Sequence, residues 1–216
     1  MSFDIICFDC DSTLSAIEGI DELANRAGVG AEVVALTTAA MNGEVPLEEV
    51  YAQRLTIIKP DQSAIEWVAA LYIQHVVSGA LEVVQALQAQ SKNVHIISGG
   101  LRQAILPLAE YLGVPAAQVH AVDIFFNADG SYQGFDTASP LAKTGGKADI
   151  CRQINPTQAR LVVIGDGQTD LEAQQAGATV IGFGGVVARP AVQARADFYV
   201  HEASLLAVLD IIMQSV

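Results

Sequence analysis

A chain of 216 residues that is 51% hydrophobic can bury a sizeable core, as one large domain or as a large and a small one, and is not a disordered polymer. Eleven basic against twenty-four acidic side chains give a net charge of −13 with no Lys/Arg cluster, which argues against a nucleic-acid partner and would repel a phosphate substrate at long range. No apolar run reaches the roughly eighteen residues that a membrane helix needs, Asp4, Asp9 and Asp11 interrupt the early apolar run that a signal peptide would require, and Cys7, Cys10 and Cys151 lack zinc-like spacing and fit a reduced, cytoplasmic setting.

In chain order, Phe3 to Phe8 is an apolar strand that ends in two carboxylates one residue apart, Asp9 and Asp11. A strand running straight through them would point both to one side and turn Cys10 away, toward a core. From Ala16 to about Val76 the pattern is helical. Ala16–Ala27 stops at Gly28, Ala31–Met41 stops at Gly43, a helix starting at Pro46 runs through Lys59, and Pro60-Asp61 opens another to about Gln74. These four helices without a strand form an insert after the first strand. Gly79–Gln90 is helical, Val94–Ser98 is a strand, and Leu101–Leu112 returns to helix. Val119–Phe126 and Tyr132–Phe135 flank Asn127-Ala-Asp-Gly130, a hairpin signal. A helix over Gly146–Ile154 precedes the apolar strand Leu161–Gly165. A further helix reaches Ala176, Val180–Phe183 and Asp197–Val200 are the last strands, and Leu205–Met213 is a closing helix. Short apolar strands alternating with longer helices predict an α/β fold built on a parallel sheet covered on both faces.

Three of those strands end in polar or glycine-rich turns, which can converge at one edge of a sheet. Asp9, Asp11 and Asp166 could surround one hard dication, Mg2+ being the economical choice, with Asp170 one turn on as a ligand or as the support of a bound water. Ser98 offers a hydroxyl, and Gly99 and Gly100 offer backbone N–H groups at an expected helix N-terminus, a phosphate contact. Lys147, near the start of a helix where a lysine is unfavourable, would need an anion as its reason, and Lys143 is the competing choice. A carboxylate beside a phosphoryl group can attack phosphorus to give an aspartyl-phosphate, and a second acid two residues on can protonate the leaving oxygen and later take a proton from water.

Asp9-Cys-Asp-Ser-Thr13, Ser98-Gly99, Lys147 and Gly165-Asp-Gly-Gln-Thr-Asp170 resemble the four motifs of the haloacid dehalogenase superfamily. Glu18-Gly-Ile-Asp-Glu-Leu-Ala24, Ala40-Met41, Arg54, Gly145-Gly-Lys147 and Ile181-Gly-Phe-Gly-Gly185 extend the resemblance over nearly the whole chain, toward the phosphoserine phosphatases of eukaryotic type. The resemblance implies a Rossmann-like core, residues 1–15 and 77–216, with a helical cap at 16–76. It implies Mg2+-dependent hydrolysis of O-phospho-L-serine, the final step of phosphorylated serine biosynthesis, by a monomer or homodimer that engages neither nucleic acid nor membrane. Asp9 becomes the nucleophile and Asp11 the general acid and base. Mg2+ would be held by the side chains of Asp9 and Asp166 and the backbone carbonyl of Asp11, which replaces the reading with three carboxylate ligands; Asp170 becomes a supporting acid. Ser98, Gly99, Gly100 and Lys147 match phosphate-binding positions. Glu18 corresponds to the acid that meets the substrate ammonium, Arg54 to the base that pairs with its carboxylate, and Met41, Gly43, Thr169 and Arg189 to further substrate-binding positions. Leu101, Asn42 and Ser78 depart from the family pattern of Phe, Gly and Pro.

Two other readings are open at this stage. The same site could act on another small phosphomonoester, or transfer the phosphoryl group to an acceptor such as homoserine. A non-catalytic binding protein would be expected to have lost the nucleophile or acid, yet Asp9, Asp11, Asp166 and Lys147 are all present.

Overall fold

A computed structural model of the protein describes residues 3–41 and 44–214. The first strand, β1 (Ile5–Phe8), is followed by four helices, α1 (Gly19–Arg26), α2 (Gly30–Met41), α3 (Leu47–Ile58) and α4 (Gln62–Gln74). Then come α5 (Ala80–Ala89), β2 (Asn93–Leu101), α6 (Arg102–Leu112), β3 (Val119–Val122) and a hairpin of β4 (Ile124–Phe126) and β5 (Tyr132–Phe135). The chain closes with α7 (Gly146–Ile154), β6 (Leu161–Gly165), α8 (Gln168–Leu171), β7 (Thr179–Phe183), α9 (Pro190–Arg195), β8 (Phe198–Val200) and α10 (Leu206–Gln214).

Six strands form one parallel sheet in the order β3-β2-β1-β6-β7-β8. All four residues of β1 and all five of β6 are buried. Since successive side chains in a strand point to opposite faces, both faces of these strands are covered, which is why their sequences read as unbroken apolar runs. Each fully buried Ile or Val in them contributes roughly 1.5–3 kcal/mol. The strand β1 lies between β2 and β6, in register Phe8↔Ile96 and Phe8↔Ile164. Strand order reverses there, and the carboxyl ends of these three strands open onto one crevice.

The insert after β1 begins later than its sequence pattern indicates. Residues 16–18 are not helical, and α1 starts at Gly19 after an extended Glu18. Asp61 caps α4, its carboxylate accepting from the Ala64 N–H at 2.8 Å. α1 packs on α2, α3 and α4, while α4 packs along α6 and α1 touches β2, and these contacts tie the insert to the rest of the molecule. The buried apolar cluster is continuous from the sheet into the insert, through Leu23, Leu55, Val68 and Tyr72.

Four expectations are corrected. Val119–Phe126 is not one strand: it breaks at Asp123, so that β3 joins the parallel sheet while β4 pairs antiparallel with β5. The helix expected through Ala176 is α-helical only to Leu171 and 3₁₀ from Glu172 onward. α9 was not anticipated from the sequence; Pro190 starts it and Val192 is its buried residue, too little for a periodic signal. Finally, Gly99 and Gly100 belong to the end of β2, and the helix after them starts only at Arg102. No helix among the described residues is long and apolar enough to cross a membrane.

Candidate active site

The strand β1 stops at Phe8, so Asp9 and Asp11 are not consecutive same-side residues of a straight strand. The Asp9 N–H still donates to the Ile164 carbonyl at 2.8 Å, which holds Asp9 at the sheet edge. Beyond it the chain turns: Thr13, Leu14 and Ser15 all donate to the Cys10 carbonyl, and Ser12 takes a left-handed φ of 51°. That conformation costs a non-glycine residue roughly 1–2 kcal/mol. Cys10 is fully buried, and burial, with Asp11 and Asp9 nearby, lifts its thiol far from ionisation, as a core cysteine requires.

Asp9 is 6% exposed. One carboxylate oxygen accepts from the Cys10 N–H at 2.7 Å and the other from Lys147 Nζ at 2.8 Å. Lys147, 4% exposed in the first turn of α7, also reaches Asp170 Oδ1 at 2.6 Å. Burial pushes its ammonium down, but the Asp170 and Asp9 carboxylates more than offset this and hold it above its ordinary value. A lysine at an unfavourable helix position is thus explained by two buried acids. Asp170 is fixed from its other oxygen by the Gly167 N–H at 3.0 Å. Its carboxyl group lies so close to Gly165 that a Cβ there would come 2.1 Å from Cγ, which is why β6 ends in glycine.

Asp166 is 3% exposed and accepts from Arg189 Nε at 2.9 Å. Burial, with the Asp170 charge adding to it, pushes its carboxyl up to about 6 despite Arg189. Oxygens of Asp9, Asp166 and Asp170 lie within 4.8 Å of one another, all three residues buried. A donor set of hard carboxylate oxygens at this spacing fits a hard dication. Burial also raises Asp9 well above the usual carboxylate range, with Lys147 opposing and the neighbouring acids adding. Like charges packed this closely call for a cation beyond Lys147 and Arg189.

The Asp11 carboxylate stands apart from that group. Its Oδ1 accepts from the Gly19 N–H and from the Tyr72 hydroxyl, each at 2.7 Å. Burial raises its carboxyl above the ordinary value, and those two hydrogen bonds oppose the shift. Burial and the adjacent carboxylates push the Tyr72 hydroxyl far above its usual range, so it remains a donor.

Most of the candidates fall around one cavity. Asp9, Asp11, Glu18, Arg54, Ser98, Gly99, Gly100, Lys147 and Thr169 all line it, as does Lys143. Ser98 is 1% exposed and its Oγ accepts from the Gly100 N–H at 3.0 Å. Glu18 accepts from Ser12 Oγ at 2.7 Å and faces Arg189 at 3.8 Å; burial and the Asp11 charge raise its carboxyl strongly. Arg54, on α3, is 4% exposed rather than solvated. It donates from Nη1 to Thr37 Oγ1 at 3.2 Å and packs 5.5 Å from the Tyr51 ring centroid, while its buried Nε has no protein partner. Desolvation pulls its guanidinium down, and Tyr51 and Asp21 oppose this. Arg189 lies at the start of α9, joining Asp166 to Glu18. Met41 ends α2, and Gly43, like Asn42, lies outside the described residues.

Sequence reasoning passed over Tyr72 and the pair Thr37–Asp21, whose 2.8 Å bond backs Arg54. Thr37 carried no polar signal on its stripe. Tyr72 carried a weak one, since a tyrosine on a buried helix face must find a partner for its hydroxyl.

A parallel sheet with a helical insert after β1, and an acid cluster at the carboxyl ends of its central strands, define a class of hydrolase. The haloacid dehalogenase-like hydrolases match residues 3–177, and the chain belongs to that family. The chloroplastic phosphoserine phosphatase of Arabidopsis thaliana is 40% identical over 214 residues, covering 97% of this chain and 72% of the relative. The phosphoserine phosphatase of Homo sapiens is 38% identical over 203 residues, covering 93% and 90%. A solved phospho-aspartyl intermediate analogue of phosphoserine phosphatase superposes with a TM-score of 0.82 at 27% identity, over 98% of this chain and all of that one. A substrate-bound phosphoserine phosphatase complex gives 0.83 at 26% identity, over 98% and 99%. Within its family the chain belongs with the phosphoserine phosphatases.

Proposed function

We propose that the protein hydrolyses O-phospho-L-serine to L-serine and phosphate, with Mg2+ as its metal and Asp9 as the nucleophile. The observation that carries this reading is that one cavity is lined both by Asp9, Lys147 and Ser98 and by Glu18 and Arg54. Phosphoserine is a phosphate joined to a zwitterion, and each of its charges has an opposite one to meet. The orphaned, buried Arg54 Nε is a donor in want of such an acceptor.

In the first half-reaction a carboxylate oxygen of Asp9 bonds to phosphorus as the bond from phosphorus to the seryl oxygen breaks. Asp11 gives that oxygen its proton. In the second half, water bonds to phosphorus, the bond to Asp9 breaks, and Asp11 takes the proton from the water. The Cys10 N–H and Lys147 hold Asp9 in place, and Lys147 with the Ser98–Gly100 end of β2 faces the transferring oxygens. Asp9 and Asp166, with the Asp11 carbonyl, would hold the metal and Asp170 would support it. When bound, Mg2+ supplies charge that offsets the phosphoryl oxygens. Residues 16–76 act as the cap over a catalytic core of 1–15 and 77–216. Three buried free cysteines are compatible with a reducing cytoplasm, where the enzyme acts as a monomer or homodimer.

The test is phosphate release from L-phosphoserine with and without Mg2+, beside a panel of small phosphomonoesters and with homoserine as a trial acceptor. Mg2+-dependent selectivity for phosphoserine is expected. Preference for another ester, or dominant transfer to homoserine, would refute the substrate or the hydrolytic assignment.

A further inference from the structure

The two oxygens of the Asp11 carboxyl group stand in different surroundings. Oδ1 accepts from the Gly19 N–H at 2.7 Å and from the Tyr72 hydroxyl at 2.7 Å. Oδ2 lies on the other side, 3.1 Å from where a Cβ on Gly100 would stand, at the end of β2. An sp² oxygen that already accepts two hydrogen bonds has used its lone-pair directions and cannot also carry a proton without giving one up.

Gly19 supplies a second, independent observation. A Cβ on that residue would come 2.0 Å from the Tyr72 hydroxyl oxygen and 2.7 Å from the ring carbon bearing it. Tyr72 is 1% exposed, so its ring has no room to yield. The two donors therefore converge on one oxygen only because residue 19 has no side chain. The hydroxyl reaches Asp11 from sixty-one residues away in sequence, from the last helix of the insert.

We propose that Tyr72, with the Gly19 N–H, is a positioning residue for the acid–base step: it commits Oδ1 to accepting and leaves Oδ2 as the oxygen that delivers and recovers the proton. This rests on the hydrolytic reading above. As the bond from Asp9 to phosphorus forms and the seryl oxygen departs, the proton on Oδ2 moves to that oxygen. When water attacks, its proton returns to Oδ2 as the Asp9–phosphorus bond breaks. Tyr72 keeps its own proton throughout.

The experiment uses leaving-group chemistry. A seryl alkoxide needs a proton in order to leave, whereas p-nitrophenolate does not. Rapid-quench kinetics of the Mg2+-loaded enzyme would follow the first phosphoryl transfer from phosphoserine and from p-nitrophenyl phosphate, in wild type, Tyr72→Phe and an Asp11→Asn control. General acid catalysis is worth about 10²–10⁴-fold, and loss of one orienting bond should take about 10-fold of it from phosphoserine. KM for phosphoserine and the p-nitrophenyl burst rate should both stay within about 2-fold, since neither depends on that proton. Equal losses on the two esters, or no loss on either, would overturn the proposal. If Tyr72→Phe fails to fold, Gly19→Ala, which displaces the hydroxyl, must show the same alkyl-selective loss. Where both fold, Gly19→Ala must cost less in the Phe background than in wild type, and additive effects overturn the proposal. Wild type that turns over a different alkyl phosphate but not phosphoserine refutes the substrate reading alone, and the alkyl-against-aryl comparison then runs on that ester.

Discussion

Replacing Lys147 by Met would test the electrostatic account most directly. Its ammonium sits 2.8 Å from Asp9 and 2.6 Å from Asp170, with all three side chains no more than 8% exposed. Methionine keeps the length and apolar stem but leaves two buried carboxylates without their cation. Breaking a buried ion pair from one side costs about 3–5 kcal/mol. At roughly 2–4 °C per kcal/mol for a domain of this size, the melting temperature of the metal-free protein should fall by about 6–20 °C at pH 7. The pH dependence has a definite sign. Burial already raises the Asp9 carboxyl in the folded state, and removing Lys147 raises it further. An acid with a raised folded pKa costs nothing below its unfolded value, near 3.9 for Asp, and destabilises progressively as pH rises above it. The gap between wild type and Lys147→Met should therefore be small near pH 4 and widen toward pH 7 in thermal melts. A gap that is absent, or independent of pH, would refute the claim that Lys147 is held by these two charges.

Asp9→Asn should abolish turnover, by about 10³-fold or more, while leaving the thermal transition and circular dichroism close to wild type; retained activity would reject Asp9 as nucleophile. Glu18→Ala or Arg54→Ala should each lower kcat/KM for phosphoserine by about 10- to 100-fold, the worth of one charged hydrogen bond, and barely affect an aryl phosphate; matched losses on both would reject their roles. Away from the site, His95 Nδ1 lies 3.0 Å from His120 Nε2, and burial, with His120 beside it, pulls the His95 imidazole down to about 4. An unfolded histidine near 6.5 binds a proton that the folded one refuses, so this group adds stability above pH 6.5 that is lost as pH falls toward 4. His95→Gln should flatten that part of the pH–stability curve in urea titrations, and an unchanged slope would reject the assignment.

Much of the fold was legible because its determinants are local. Leu161–Gly165 could be read as a buried strand since five consecutive apolar residues leave no polar face, and Pro60-Asp61 marked a helix start through its own capping chemistry. The strand-end acids were legible for the same reason. What the sequence concealed were the pairings made at long range. Arg189 meets Asp166 across twenty-three residues, and Tyr72 meets Asp11 across sixty-one. Neither carries a periodic signature, and Tyr72 reads simply as another aromatic on the apolar stripe of α4. The break at Asp123 was hidden for a different reason. Val119–Phe126 carries β-prone residues on both sides of Asp123, and its two halves take different partners, β2 and then β5.

A chain of net charge −13 must build its attraction for a phosphate ester locally, and the site allows that attraction to be accounted for. Around the site stand Asp9, Asp11, Glu18, Asp166, Asp170 and Glu172, six carboxyl groups, against four cations, Lys143, Lys147, Arg54 and Arg189. With all of them ionised the balance is −2, which a dication brings to zero. Glu18 and Arg54 answer the ammonium and carboxylate of phosphoserine, so those charges cancel in pairs. The phosphate dianion is then left facing Lys147 and whatever occupies the space between Asp9 and Asp166. Without a metal, that neighbourhood is dominated by carboxylates, and Lys147 is already engaged by two of them. Binding of a non-hydrolysable phosphonate analogue of phosphoserine to metal-free wild-type protein, measured by titration calorimetry, should therefore be about 100-fold weaker than with Mg2+ present, in line with the several kcal/mol a metal supplies. Equal affinity in chelator and in Mg2+ would mean that the cavity holds the phosphate by Lys147 and the Ser98–Gly100 end of β2 alone, and that the acid cluster serves stability rather than substrate charge.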